Sequence, residues 1–243
     1  MKKLLIVLCC FLALQSCNKD NIKNETINAF EANWTGDLDK EEKDAIREMI
    51  NNMVKVDGGT FIMGAQSDSM EYLNYDENAT SWEAPVHEVT LSTYFINKYE
   101  VTQNIWEIVM DATPNDEDNM QWENEYGKGD KHPAYRISYK EVEKFIGKLN
   151  EITGLNFALP TEAQWEYAAR GGASTIYELY SGSDNVDEVA WIDSNCNKCH
   201  RVGLKSANAL GLCDMSGNVW EMCRDWFYQY TEEAATNPVG EDY

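Results

Sequence analysis

Leu159-Pro160-Thr161-Glu162-Ala163-Gln164-Trp165-Glu166-Tyr167-Ala168-Ala169-Arg170-Gly171-Gly172 is the stretch on which the fold turns. It reads as a short helix with both ends marked. Pro160 and Thr161 open it, where a missing backbone donor does no harm and a hydroxyl can cap. Gly171-Gly172 stops it, since glycine adopts the left-handed backbone that closes a helix. Trp165, Ala168 and Ala169 are expected to pack inward, while Glu162, Glu166 and Arg170 fit a surface charge row.

Upstream, Ser138 and Glu141 form a capping box, and Val142, Phe145, Ile146 and Leu149 follow at helical spacing until Gly154. Thr102 caps another helix carrying Ile105, Trp106 and Val109. Val86 to Tyr99 is β-rich, and Met53 to Met63 reads as a hairpin turning at Asp57-Gly58-Gly59. Asp39 with Glu42 starts a helix at residues 38–53, with Ala45, Ile46, Met49, Ile50 and Met53 on one face. Irregular acidic loops fill 66–84 and 114–131, and turns with aromatics dominate after Ala173. One α+β domain, poor in regular elements, is predicted over 54–243.

Residues 1–16 read as an export segment. Lys2 and Lys3 precede an apolar run from Leu4 to Leu14, too short to span a bilayer, ending at Leu14-Gln15-Ser16-Cys17. That ending resembles a bacterial lipobox, so Cys17 is the expected lipidation residue and the lipid the only expected membrane attachment. Residues 17–37 are polar and Asn-rich, suiting a tether. The expected location is the cell envelope.

The 243 residues carry a formal charge of −22, and losing Lys2 and Lys3 leaves 18 basic against 42 acidic residues. Such a surface repels phosphate backbones, which excludes nucleic acid as a partner. It also favours solubility and calcium. Of 7 cysteines, Cys196, Cys199, Cys213 and Cys223 lie in the body, close together in sequence, with no pairing fixed by spacing.

Four segments together resemble the formylglycine-generating enzyme (sulfatase-modifying factor) family. They are Val56 to Gly64 (VDGGTFIMG), Pro85 to Val89 with Tyr99-Glu100-Val101-Thr102, Leu159 to Gly172, and Asn208 to Glu221 (NALGLCDMSGNVWE). The resemblance implies a fold related to C-type lectin domains. It also implies oxidation of a sulfatase cysteine to formylglycine as the family activity, with a sulfatase or another envelope protein as partner. Family members hold a structural calcium with the residues matching Asp214, Gly217, Val219 and Glu221, the middle two through carbonyls. Calcium wants six to eight oxygens, which a tight glycine loop between two carboxylates can supply. A plain turn, with Trp220 buried and Glu221 exposed or paired to Arg224, accounts for the same residues.

The catalytic pair of the family's oxidases, two cysteines that use copper, follows an Arg-Gly-Gly-Ser-Trp segment. Neither occurs before Tyr243, so the resemblance implies a C-terminally incomplete domain, inactive as an oxidase, with copper expected only in a complete homologue. The competing reading is a non-catalytic, lectin-like binding or assembly lipoprotein for adhesion, secretion or motility. Cys196-Asn197-Lys198-Cys199-His200 also matches a c-type haem attachment pattern. Relatives carry a similar loop without haem, so a Cys196–Cys199 loop disulfide and inert thiols stand beside that remote reading.

Overall fold

The computed structural model describes residues 8–9, 13–14, 32–113, 121–173 and 177–240. Two short strands come first, β1 (Leu8–Cys9) and β2 (Ala13–Leu14), then helix α1 (Lys40–Asn51). Strands β3 (Met53–Val56), β4 (Gly59–Met63), β5 (His87–Leu91) and β6 (Tyr94–Asn97) follow. Helices α2 (Gln103–Met110) and α3 (Tyr139–Thr153) lead to β7 (Phe157–Ala158), α4 (Glu162–Ala169) and the short α5 (Val186–Val189). Strands β8 (Trp220–Glu221) and β9 (Ala235–Thr236) complete the order.

The helices form where local chemistry marks them. Asp39 and Ser138 each accept from the backbone three residues on, and Glu42 and Glu141 reach back to the cap N–H. Thr161 and Gln164 do the same for α4. Each box satisfies two backbone donors that a helix start otherwise leaves without partners. Gly154 closes α3 in the left-handed conformation, at φ 67°.

Met53 to Met63 is not a hairpin. β3 pairs with β6 and β4 with β5, antiparallel, in one continuous register from Met53↔Asn97 through Val56↔Tyr94 and Gly59↔Leu91 to Met63↔His87. The result is a long two-stranded ribbon that bends once, passing from one sheet into another. Asp57-Gly58 and Ser92-Thr93 form the bend, where the Gly58 N–H donates to Thr93 Oγ1 at 3.0 Å. A Cβ on Gly58 would collide with the Leu91 carbonyl. Gly58 therefore allows two backbones to cross closely rather than one backbone to reverse.

The ribbon divides the apolar interior. On one side α1, α2 and α3 enclose Ile46, Ile50, Ile105, Phe145 and Leu149, with Trp106 stacked on Phe145 at 4.9 Å. On the other, α4 lays Ala163, Tyr167 and Ala168 against Val56, Val89 and Ile96. Tyr167, fully buried, carries more of that helix's inward face than Trp165. β9 extends the β4–β5 sheet, β2 lies between β6 and β7, and β1 pairs with β8. Among the described residues no helix is long and apolar enough to cross a membrane.

Candidate functional site

The loop from Asp214 to Glu221 runs through left-handed backbone at Asp214 (φ 61°), Gly217 (φ 81°) and Asn218 (φ 58°). A Cβ at Gly217 would strike the Trp191 carbonyl, so glycine is required there on two grounds. Asn218 pins the loop: its N–H donates to the Trp191 carbonyl at 2.8 Å, and its Oδ1 accepts from the His200 N–H at 2.9 Å.

Asp214 is 2% exposed, and its Oδ2 accepts from the Gly203 N–H at 2.7 Å. Its other oxygen, Oδ1, is buried without a hydrogen-bond partner. Glu221 keeps some surface as a residue, but its carboxylate end is enclosed and accepts from Trp165 Nε1 at 2.7 Å. Arg224 is not its partner, and Trp220 is 68% exposed rather than buried.

A third acid, Glu100, joins them. It is 2% exposed; its Oε2 accepts from Asn218 Nδ2 at 2.7 Å, while Oε1 has no partner. Burial pushes its pKa well above the ordinary carboxylate value, and the charges of Asp214 and Glu221 push the same way. Burial raises Asp214 to about 6. Burial and the Asp214 charge raise Glu221 well above its ordinary value. As anions these groups repel one another in a poorly solvated place, which calls for protons or a cation.

The loop carries oxygens of the kind that calcium takes. Two carboxylates flank a glycine turn, and a carboxylate oxygen lies buried and unpartnered at its start. No group of three His, Cys, Asp or Glu side chains converges on a metal position among the described residues. A cation held as the family resemblance implies would rest on Asp214 and Glu221 with the Gly217 and Val219 carbonyls, leaving Glu100 as a buried neighbour. Sequence reasoning missed Glu100. Its signal was an acid inside the Tyr99-Glu100-Val101-Thr102 segment, two residues before the α2 cap.

Cys196 and Cys199 are free thiols in this structure, so the Cys196–Cys199 loop disulfide is not formed. Cys196 Sγ donates to the Ile192 carbonyl at 3.2 Å and Cys199 Sγ to that of Tyr126 at 2.9 Å. Burial pushes Cys199 up to about 12 and raises Cys196 and Cys213 as well. Such thiols are poor nucleophiles and poor copper(I) ligands, since both roles need the thiolate. His200 stacks on Trp191 with ring centroids 3.9 Å apart. Cys17 lies outside the described residues.

The α+β architecture and the loop define a class. Residues 39–241 match the family model of the sulfatase-modifying factor enzyme 1-like domain, and the chain belongs to that family. It is 34% identical to the chaperone protein LppX of Paenibacillus barcinonensis over 72% of each chain. It is 24% identical to the formylglycine-generating enzyme of Thermomonospora curvata over 78% of this chain and 77% of that one. It spans 33% of the serine/threonine-protein kinase pkn1 of Chlamydia caviae, at 25% identity. Among solved structures, Treponema denticola variable protein 1 superposes with a TM-score of 0.60 at 25% identity over 78% of each chain.

Proposed function

We propose that this chain is a lipid-tethered envelope module that binds other exported polypeptides and does not carry out the family's oxidation. The observation that carries this reading is an exposed aromatic surface. Trp82, Trp226 and Phe227 are 57%, 56% and 72% exposed. Trp82 and Phe227 meet edge to face at 5.1 Å, and Tyr139 lies 6.0 Å from Trp226. Aromatic side chains offer large apolar area with little rotamer entropy to lose, and contiguous exposed patches of them mark interaction sites. The buried, protonated thiols support the non-catalytic half of the proposal. The likeness to a protein named as a chaperone supports the polypeptide as partner. In this reading calcium at Asp214, Gly217, Val219 and Glu221 braces the loop that leads into β8 and the aromatic segment, and Cys17 carries the lipid.

Aggregation of reduced insulin, followed by light scattering, tests the binding. The full chain is expected to suppress scattering at near-equimolar ratio, and Trp226→Ala with Phe227→Ala to weaken that suppression at least 5-fold. No suppression by the unaltered chain overturns the proposal. So does loss of about 18 Da from a sulfatase cysteine peptide incubated with the chain, copper and oxygen.

A further inference from the structure

The run from Ser194 to Cys213 holds Lys198, Arg201 and Lys205 and no Asp or Glu, in a chain with 42 acids. It packs beside a second loop, which carries Lys128 and Lys131. Cys199 joins the two: its N–H and its Sγ both donate to the Tyr126 carbonyl, at 3.2 and 2.9 Å. Further on, the Val202 N–H donates to the Lys131 carbonyl at 2.9 Å. The loops therefore run side by side in the same direction and bring their cations into one strip.

Both loops are held from beneath. Gln103, 2% exposed, donates to the Gly127 carbonyl and accepts from the Gly129 N–H, each at 3.0 Å. The His200 and Gly203 N–H groups donate to Asn218 Oδ1 and Asp214 Oδ2. Lys128, Lys131, Lys198 and Arg201 are exposed above this frame, and none forms an ion pair among the described residues. Lys205 is fixed beside them, its ammonium 4.0 Å from the centre of the Trp191 ring. Burial, and behind it the charges of Lys198, His200 and Arg201, hold His132 below its ordinary pKa, so the charges acting on that ring share one sign. Like charges held together without a counter-ion repel, and an anion relieves them.

The shape of the strip selects the anion. Acids border it: Glu125 precedes Tyr126, Asp193 precedes Cys196, and the Glu188 carbonyl accepts from the Ser206 N–H. A broad anionic sheet such as a bilayer would meet those acids as well as the cations. The cations stand in two pairs, Lys128 with Lys198 and Lys131 with Arg201, up to about 10 Å apart along the loops, more than one small ion spans. Leu204, 56% exposed, adds an apolar contact beyond Arg201. We infer that the strip docks an extended acidic segment of a bound polypeptide, with Asp or Glu side chains against both pairs of cations. The inference takes the class of partner from the polypeptide-binding proposal and places it on different residues. Charge complementarity of this kind gives selectivity and fast association more than tight binding.

The probe is a rhodamine-labelled octaglutamate peptide, titrated into the full chain and followed by fluorescence anisotropy. It is expected to bind saturably, to weaken as salt rises, and to outcompete octaglutamine. Lys128→Glu with Lys198→Glu at one end, and Lys131→Glu with Arg201→Glu at the other, should each weaken binding about 10-fold. Lys140→Glu with Lys144→Glu on α3 makes the same change in net charge on exposed lysines elsewhere and should change binding less than about 2-fold. Neither strip variant should alter binding of the chain to vesicles of phosphatidylglycerol. Absence of octaglutamate binding, an equal loss in the α3 variant, or a loss from one end of the strip alone overturns the inference. So does a strip-dependent gain on phosphatidylglycerol over phosphatidylcholine vesicles, which would assign the cations to a membrane. Insulin suppression that persists when octaglutamate fails to bind removes the strip and leaves the aromatic-surface proposal standing. Loss of that suppression with octaglutamate binding intact does the reverse.

Discussion

Asp214 holds a carboxylate at 2% exposure with one oxygen satisfied and one not. Its pKa rises from the ordinary value of 3.8 to about 6 in the fold because burial penalises the anion. The fold thus binds a proton that the unfolded chain releases between those two values. Stability from this group is fully present below about pH 4, is lost as pH rises through about 6, and stays low above it. A shift of that size corresponds to about 3 kcal/mol. Calcium reverses the preference by favouring the anion. In chelator, the wild type should therefore be less stable at pH 7.5 than at pH 5. Calcium should raise Tm by several degrees at pH 7.5 and far less at pH 5. Asp214→Asn should keep the acceptor for Gly203, reduce the pH dependence to the part due to Glu100 and Glu221, and abolish the calcium response. Thermal unfolding at both pH values, with and without calcium, decides it; a wild type indifferent to pH and calcium would sink the calcium assignment.

Helix α4 does more than fill a groove. Glu166 Oε1 accepts from the Gly64 N–H at 2.9 Å, and Arg170 bridges back to the Gly64 carbonyl at 3.1 Å while pairing with Glu166 at 2.7 Å. The two charged side chains therefore clamp the end of β4 and do not form a surface row. Glu166→Ala would leave a backbone donor and a half-buried guanidinium without their partner, at a cost of about 2 kcal/mol. Glu166→Gln keeps an acceptor and should lose less. Urea unfolding separates the two, and an alanine loss below about 0.5 kcal/mol would mean that the clamp is solvent-screened. The helix itself was legible, as were α1, α2 and α3, because caps and 3.6-residue periodicity are local signals. The bent ribbon was not: Asp57-Gly58-Gly59 is as suitable for a reversal as for a crossing, and only pairing across about 30 residues distinguishes them. The pair Asp214 and Glu221 came from the family resemblance, since the glycine loop alone reads equally well as a plain turn. Glu100 was not legible, since one acid in a β-to-helix corner carries no spacing. The place of β2 could not be read from the leader, whose apolar run signals export equally well.

Across the whole molecule, 42 acidic residues face 20 basic ones. The described ion pairs are few, and Arg47–Asp44 and Lys55–Asp57 join exposed groups worth little. Most of the negative charge is therefore balanced by solvent ions, and bringing it together on folding opposes compaction. Screening relieves that cost: the Debye length falls from about 30 Å at 0.01 M salt to about 8 Å at 0.15 M. A folded chain with paired surface charges would lose stability over this range, whereas one dominated by self-repulsion gains it. Raising potassium chloride from about 0.01 to 0.15 M should therefore stabilise this chain by about 1 kcal/mol, or about 2–4 °C in Tm for a domain of this size. Saturating calcium, present throughout, keeps the Asp214 site constant, so that the change reports only the diffuse charge. A Tm that stays level or falls would show that the acidic surface is locally compensated, and that its charge is not what limits the fold.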